Sequence, residues 1–148
     1  MSVQNSANVT NFPFILDGNS KDKPLETIAQ DAGRTVDLAR YTLMSYNPTT
    51  TKWVPFTDET ATDGTQIPSG IVLATVEYEA IVAGDVEDVP ILIANAEFDQ
   101  NQLVIENSKT LATIVNVPTS LNKSVEELLR WAGLIASDTI PIDEFENA

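Results

Sequence analysis

The sequence contains no cysteine and no histidine. Without cysteine there is no disulfide and no thiol nucleophile, and without histidine no side chain has an ordinary pKa near neutral pH. These absences exclude Ser-His-Asp and Cys-His catalysis, and they remove the ligands of most zinc and copper sites. The lack of cysteine also fits a reducing compartment.

Basic residues are scarce, with 8 Lys and Arg against 22 Asp and Glu, which gives a formal net charge of −14. A surface of this charge repels phosphate backbones and anionic lipid headgroups. We therefore expect neither a nucleic-acid partner nor a membrane partner.

Long hydrophobic runs are also missing. No stretch has the length of a membrane span, and the opening MSVQNSANVTN lacks the basic and apolar regions of a signal peptide. With 148 residues, 43% of them hydrophobic, the chain is long enough to form one domain around a packed core.

The first 24 residues differ in composition from the rest. Two polar stretches, SVQNSANVTN and DGNSKDK, flank a single apolar patch. Segments this polar do not bury enough surface to order themselves alone. The patch indicates an arm that binds a partner chain or, equally, a strand docked on its own domain or a disordered tether. The candidate partner-binding residues of this arm are Val9, Phe12, Pro13, Phe14, Ile15 and Leu16.

Residues 25–148 predict a mainly β domain, a small β-barrel or sandwich, because strand-like segments alternate with turn residues. Residues 24–46 are ambiguous: residues 24–33 have the spacing of a short helix from Pro24 to Gly33, whereas residues 35–46 alternate and are rich in β-formers. The predicted strands cover residues 36–46, 52–56, 71–82, 89–98, 103–106, 110–117 and 134–142.

One helix is predicted near residues 124–132. Ser124 and Glu127 have the spacing of a capping box, and Gly133 supplies a stop. Between them, apolar side chains recur at helical spacing: Val125, Leu128, Leu129 and Ala132.

The acidic loops do not fit a site for chemistry. With Asp58 as the first ligand of a calcium loop, threonines fall at the third and fifth positions and Ser69 at the twelfth, so the ligand pattern fails. Asp63-Gly64 is better interpreted as a turn. We assign no catalytic, cofactor or metal residue and do not expect an enzyme. Trp53 and Trp131 could stack on a sugar, but a core or interface role fits their apolar surroundings better.

Several motifs, in one order along the chain, resemble the lambda-type bacteriophage head decoration proteins. They are Leu38-Ala39-Arg40, Lys52-Trp53-Val54-Pro55, Ala61 to Gln66, Gly70-Ile71-Val72-Leu73, Val89 to Phe98 and the ending LLRWAGLIASDTI. The similarity covers about residues 35–140. In two places the family has glycine and this chain does not: after the Arg of its LARG motif, where Tyr41 stands, and in its RGE motif, where Ala94-Asn95-Ala96 stands.

The resemblance implies a small β-tulip-like domain that forms homotrimers at the local three-fold axes of an expanded phage head. The N-terminal arm would pair with the major capsid protein, and the trimer would reinforce the shell against DNA pressure. The protein would then be made in the host bacterial cytoplasm and lie on the outer surface of the virion. The alternatives are a carbohydrate- or host-binding virion module and, last, a hydrolase that uses acidic residues.

Overall fold

The computed structural model describes residues 13–18 and 22–138. Strands predominate there: β1 (Ile15–Gly18), β2 (Leu25–Ile28), β3 (Leu43–Asn47), β4 (Lys52–Pro55), β5 (Pro68–Val72), β6 (Val86–Leu92), β7 (Ala96–Asp99), β8 (Ile114–Val115), β9 (Lys123–Ser124) and β10 (Leu134–Ser137). The helices of this part are α1 (Tyr78–Ala83) and α2 (Val125–Trp131), and neither has the length or apolar character to cross a membrane. The predicted class, mainly β with a short helix near the C-terminus, is confirmed.

Five strands pair in a ring, in the order β2–β4–β3–β5–β6 and back to β2. Strand β3 is antiparallel to both β4 and β5. The seam between β2 and β4 is held by a single parallel pair, Ile28 with Trp53. The ring is therefore a small barrel whose hydrogen-bonded wall is thin at this seam.

Two buried clusters lie on opposite faces of the ring strands. All five strands contribute to the first cluster, which we call the inner core: Ile28, Leu38, Met44, Trp53, Val72, Val76, Ile81, Val89 and Ile91. The second cluster, the outer core, contains Phe14, Leu43, Phe56, Ile71, Leu92, Ala96, Phe98, Val115, Val125, Leu128, Leu129 and Leu134. Neighbours such as Ile71 and Val72 enter different cores because successive strand side chains point to opposite faces.

The outer core is covered by a second sheet and by α2. This sheet has the order β1–β7–β10, in which β1 is antiparallel to β7 and β10 is parallel to it. A two-stranded hairpin of β8 and β9 leads into α2. Strands β3 and β5 and the end of β6 are thus buried on both sides, which explains the apolar runs in their sequences.

The helix signals near the C-terminus are confirmed. The Ser124 hydroxyl accepts a hydrogen bond from the Glu127 amide, and the Glu127 carboxylate accepts one from the Ser124 amide, both at 3.2 Å. Gly133, just beyond the helix, has a φ of 90°. The helix ends where the chain turns left-handed.

The predicted strand over residues 71–82 is wrong in its second half, which forms α1. The amide of Tyr78, at the start of this helix, donates to the Asp37 carboxylate at 3.0 Å. Of the residues of α1, only Ile81 is buried. A six-residue helix with one buried side chain has no apolar stripe, so periodicity could not reveal it.

Other predicted strands are shorter than expected. Within residues 24–33, whose spacing fits a short helix, residues 25–28 form the strand β2 and no helix forms. Residues 89–98 are divided by Asn95, whose φ of 52° separates β6 from β7, and the strand expected over 36–46 starts only at Leu43, after Tyr41 with a φ of 71°. Residues 103–106 contribute an isolated bridge between Val104 and Thr42. Part of the strand expected over 134–142 lies outside the described residues.

Candidate functional site: the N-terminal strand

The described part of the chain includes four of the six candidate binding residues. Val9 and Phe12 lie outside the described residues. Pro13 is exposed, and the next three residues enter or begin β1: Phe14, Ile15 and Leu16. The interval assigned to the arm, residues 1–24, therefore includes a strand that pairs with the domain's own β7.

Phe14 is buried in the outer core, with 3% of its surface exposed. Its ring stacks on Tyr41 with centroids 4.1 Å apart and planes 6° apart, and it lies 5.5 Å from the ring of Phe98. Its carbonyl accepts a hydrogen bond of 2.7 Å from the Asp99 amide. The expectation that Phe14 anchors the arm on another chain is therefore corrected, because two aromatic rings of its own domain already bury it.

Ile15 follows the same pattern. It is half-buried against the outer core, and its backbone lies opposite Phe98 in the β1–β7 pairing. Beyond a register shift, Asp17 and Gly18 lie opposite Glu97 and Ala96. For the segment from Phe14 to Gly18, the alternative interpretation of a strand docked on its own domain describes the structure.

The Tyr41 ring packs on the Phe14 ring, and both backbone groups of Tyr41 are hydrogen bonded. Its amide donates to the Val72 carbonyl at 2.6 Å, and its carbonyl accepts from the Val104 amide at 2.9 Å. The guanidinium carbon of Arg40 lies 5.0 Å from the centroid of the Tyr41 ring. Residue types and spacing did not predict this role, and the available signal was a tyrosine where the resembled proteins have glycine.

The acidic loops form turns. The Asp63 carboxylate accepts from the amide of Thr65 at 3.0 Å and from its hydroxyl at 2.6 Å, and Gly64 has a φ of 99°. Asp58 binds Thr60 in the same way. Asp85 pairs with Lys52 instead of standing free in solvent. Within the described residues, no group of three or more metal-ligating side chains comes together.

These contacts favour the charged form of the carboxylates. The hydroxyl of Thr60, followed by its amide, holds the pKa of Asp58 below its ordinary value, and Thr65 acts likewise on the pKa of Asp63. The Lys52 ammonium, followed by the Gln30 amide, lowers the pKa of Asp85. A general acid needs the opposite shift.

A cleft of about 250 Å³ lies beside the inner core. Arg34 lines it, and both terminal nitrogens of its guanidinium donate to the Glu106 carboxylate. Its Nε donates to the Val36 carbonyl at 2.8 Å, and one terminal nitrogen also reaches the Asp37 carbonyl at 3.2 Å. The guanidinium thus ties two loops together. Residue types and spacing alone did not reveal this pair.

The two tryptophans differ in solvent exposure. Trp53 is 5% exposed in the inner core, and its indole N–H donates to Glu26 at 3.3 Å, so its face is not open to a sugar. Trp131, at the end of α2, is 65% exposed and has the Lys123 ammonium 5.5 Å from its ring centroid. Of the two proposed platforms, only Trp131 is accessible.

No protein-family model matches this chain, and no curated protein matches it. The similarity to phage head decoration proteins therefore remains a prediction from short motifs.

Proposed function

We propose that this protein is a capsid decoration protein that binds as homotrimers at the local three-fold axes of an expanded phage head. It would reinforce the shell against internal DNA pressure. The partner would be the major capsid protein, and the site of action the outer surface of the virion.

The observation that carries the proposal concerns two backbone positions. The resembled family has glycine where this chain has Tyr41 and in the segment that contains Asn95. Both residues have left-handed backbones here, with φ of 71° and 52°. Glycine is the usual residue for such a conformation. A left-handed Tyr41 at one glycine site, and a left-handed Asn95 within the segment that replaces the other, support a shared backbone course.

The arm that this proposal requires is shorter than the sequence suggested. Because Phe14 is buried in its own domain, the residues left to contact a shell protein are those up to the exposed Pro13, with Val9 and Phe12 as the candidate anchors. Three such segments on one trimer would act together, so that weak single contacts give persistent binding through effective concentration.

The first test is a variant that lacks residues 2–12 and keeps Phe14. We expect its thermal midpoint and its oligomeric state, taken from the mass in solution, to match those of the full chain, since the outer core is intact. We expect it to lose co-sedimentation with expanded heads of the phage that encodes it. A matched control replaces Asn5 and Asn8 by serine, which leaves the apolar residues in place and should preserve binding. Full occupancy by the shortened protein would contradict the proposal.

The exposure of Trp131 favours a second candidate, a virion module that binds a carbohydrate or a host surface. An exposed indole face can stack on a sugar ring. Glycan-array binding that is lost in Trp131→Ala, with an unchanged thermal midpoint, would support it. The absence of any glycan signal for the wild-type protein would remove it.

A further inference from the structure

The conformation of Tyr41 calls for a physical reason. Its φ of 71° lies in the left-handed region, which glycine occupies freely and which bulky side chains occupy at a cost. Both of its backbone groups are hydrogen bonded, to Val72 and Val104, so the backbone course is fixed by the body of the domain. A glycine there would satisfy the same hydrogen bonds without strain. The ring must supply something that compensates.

The ring completes a layered contact with the N-terminal strand. The Arg40 guanidinium lies over the Tyr41 ring, the Tyr41 ring is nearly parallel to the Phe14 ring, and Phe14 reaches Phe98 on β7. Stacked aromatic pairs add stabilisation beyond the area that they bury. Tyr41 therefore stabilises the one segment that links the body to residues 1–12.

Apart from Phe14, this segment is held by Ile15, which is half-buried against the outer core, and by the pairing of β1 with β7. Strand β1 lies at the edge of its sheet and has three registered pairs with β7, interrupted by a register shift. A short edge strand of this kind is a low-stability element that opens locally. The buried Phe14 ring, together with the half-buried Ile15, resists that opening.

We propose that Tyr41 is a positioning residue that clamps Phe14, so that residues 1–12 leave the domain from a fixed point beside β7. An arm with a fixed origin loses less freedom when it binds than one whose attachment point also moves. The proposal relies on the proposed function only for what the arm binds, and the clamp itself can be tested without any shell.

The test is amide hydrogen exchange at the two edges of β7. The Asp99 amide donates to Phe14, on the β1 side, whereas the Ala96 amide donates to Gly133, on the β10 side, at 2.7 and 3.0 Å respectively. In Tyr41→Gly we expect exchange at Asp99 to accelerate about tenfold while exchange at Ala96 stays unchanged. Tyr41→Phe keeps the stacked ring and should match the wild-type protein at both amides.

Unchanged protection of Asp99 in Tyr41→Gly would overturn the clamp, since a merely strained tyrosine would be replaced by glycine without loss. Equal acceleration at Asp99 and Ala96 would also overturn it, because it would indicate general destabilisation. If Tyr41→Gly does not fold, Phe14→Leu removes the stack from the other side, keeps an apolar plug, and should give the same selective change at Asp99.

Binding to expanded heads separates this inference from the proposed function. If the clamp is correct and the decoration role is not, exchange at Asp99 changes as described in Tyr41→Gly, while neither the wild-type protein nor Tyr41→Gly binds expanded heads. If the decoration role is correct and the clamp is not, the variant that lacks residues 2–12 loses binding while exchange in Tyr41→Gly stays as in the wild-type protein.

Discussion

Among single residues, Gly70 in β5 has the clearest steric reason to be glycine. A Cβ atom at this position would lie 2.7 Å from Cζ3 of Trp53 and 2.8 Å from Cγ2 of Ile91, both in the inner core. The Trp53 ring has little room to move, because it is buried and its N–H binds Glu26. We expect Gly70→Ala to lower the free energy of unfolding by about 1–3 kcal/mol, measured by urea denaturation.

Gly84→Ala is the matched control for this substitution. A Cβ atom at Gly84 meets nothing within 4 Å, and the φ of 172° is an extended value open to any residue. We expect a change within about 0.5 kcal/mol. If both variants lose the same stability, the contact between β5 and Trp53 does not explain the glycine at position 70.

Elements whose signals are local could be predicted from the sequence. The capping box of α2 and the turn at Asp63-Gly64 both depend on residues within a few positions of one another. The first residue of α1 could not be predicted in this way, because its amide is capped by Asp37, 41 residues away.

The candidate site likewise combines a feature that is visible in the local sequence with contacts that come from distant residues. An apolar patch around Phe14 was visible in the sequence, but its destination was not. The rings that bury it belong to Tyr41 and Phe98. Whether a patch binds its own domain or another chain depends on such distant partners, and one sequence does not reveal which strands become neighbours.

Between elements, the Arg34–Glu106 ion pair is the contact that we expect to stabilise the loops most. The side chains are 7% and 22% exposed. Replacing one partner leaves a partly buried charge uncompensated, which costs several kcal/mol in buried pairs. We expect Arg34→Met to lower the free energy of unfolding by about 3 kcal/mol in urea denaturation.

Two further variants isolate that effect. Arg34→Met combined with Glu106→Gln removes the stranded charge and should recover part of the lost stability. Arg130→Met breaks an exposed pair, in which Arg130 and Glu126 are 57% and 40% exposed, and should change stability by less than about 0.5 kcal/mol. A loss in Arg34→Met no larger than that in Arg130→Met would show that the buried pair contributes little.

At the scale of the whole molecule, two electrostatic effects oppose each other as pH falls. Protonation of Asp and Glu side chains reduces the repulsion among the negative charges that give the net charge of −14, and this reduction favours the folded state. The hydrogen-bonded carboxylates act in the other direction. Since the pKa of Asp63 in the folded protein lies below its ordinary value of 3.8, the unfolded chain takes up the proton first, and stability is lost as pH falls through the folded-state value.

A high salt concentration distinguishes the repulsion between surface charges from the effect of the hydrogen-bonded carboxylates. At about 1 M salt the screening length is about 3 Å, so repulsion across the surface is suppressed while direct hydrogen bonds persist. Under that condition we expect the thermal midpoint to fall between about pH 5 and pH 2.5, and to fall less steeply in Asp63→Asn. The asparagine retains an acceptor oxygen for Thr65 but does not titrate.

Substitutions of neighbouring threonines test the cause of this slope. Thr65→Val removes the hydroxyl that contributes most to the lowered pKa of Asp63, so it should also flatten the dependence on pH. Thr62→Val, at an exposed position of the same loop, should leave the slope unchanged. Identical slopes in the wild-type protein, Asp63→Asn and Thr65→Val would mean that this turn does not contribute to acid sensitivity. The loss would then have to come from the other carboxylates whose pKa is lowered by hydrogen bonds: Asp58, Glu59, Asp85 and Glu127.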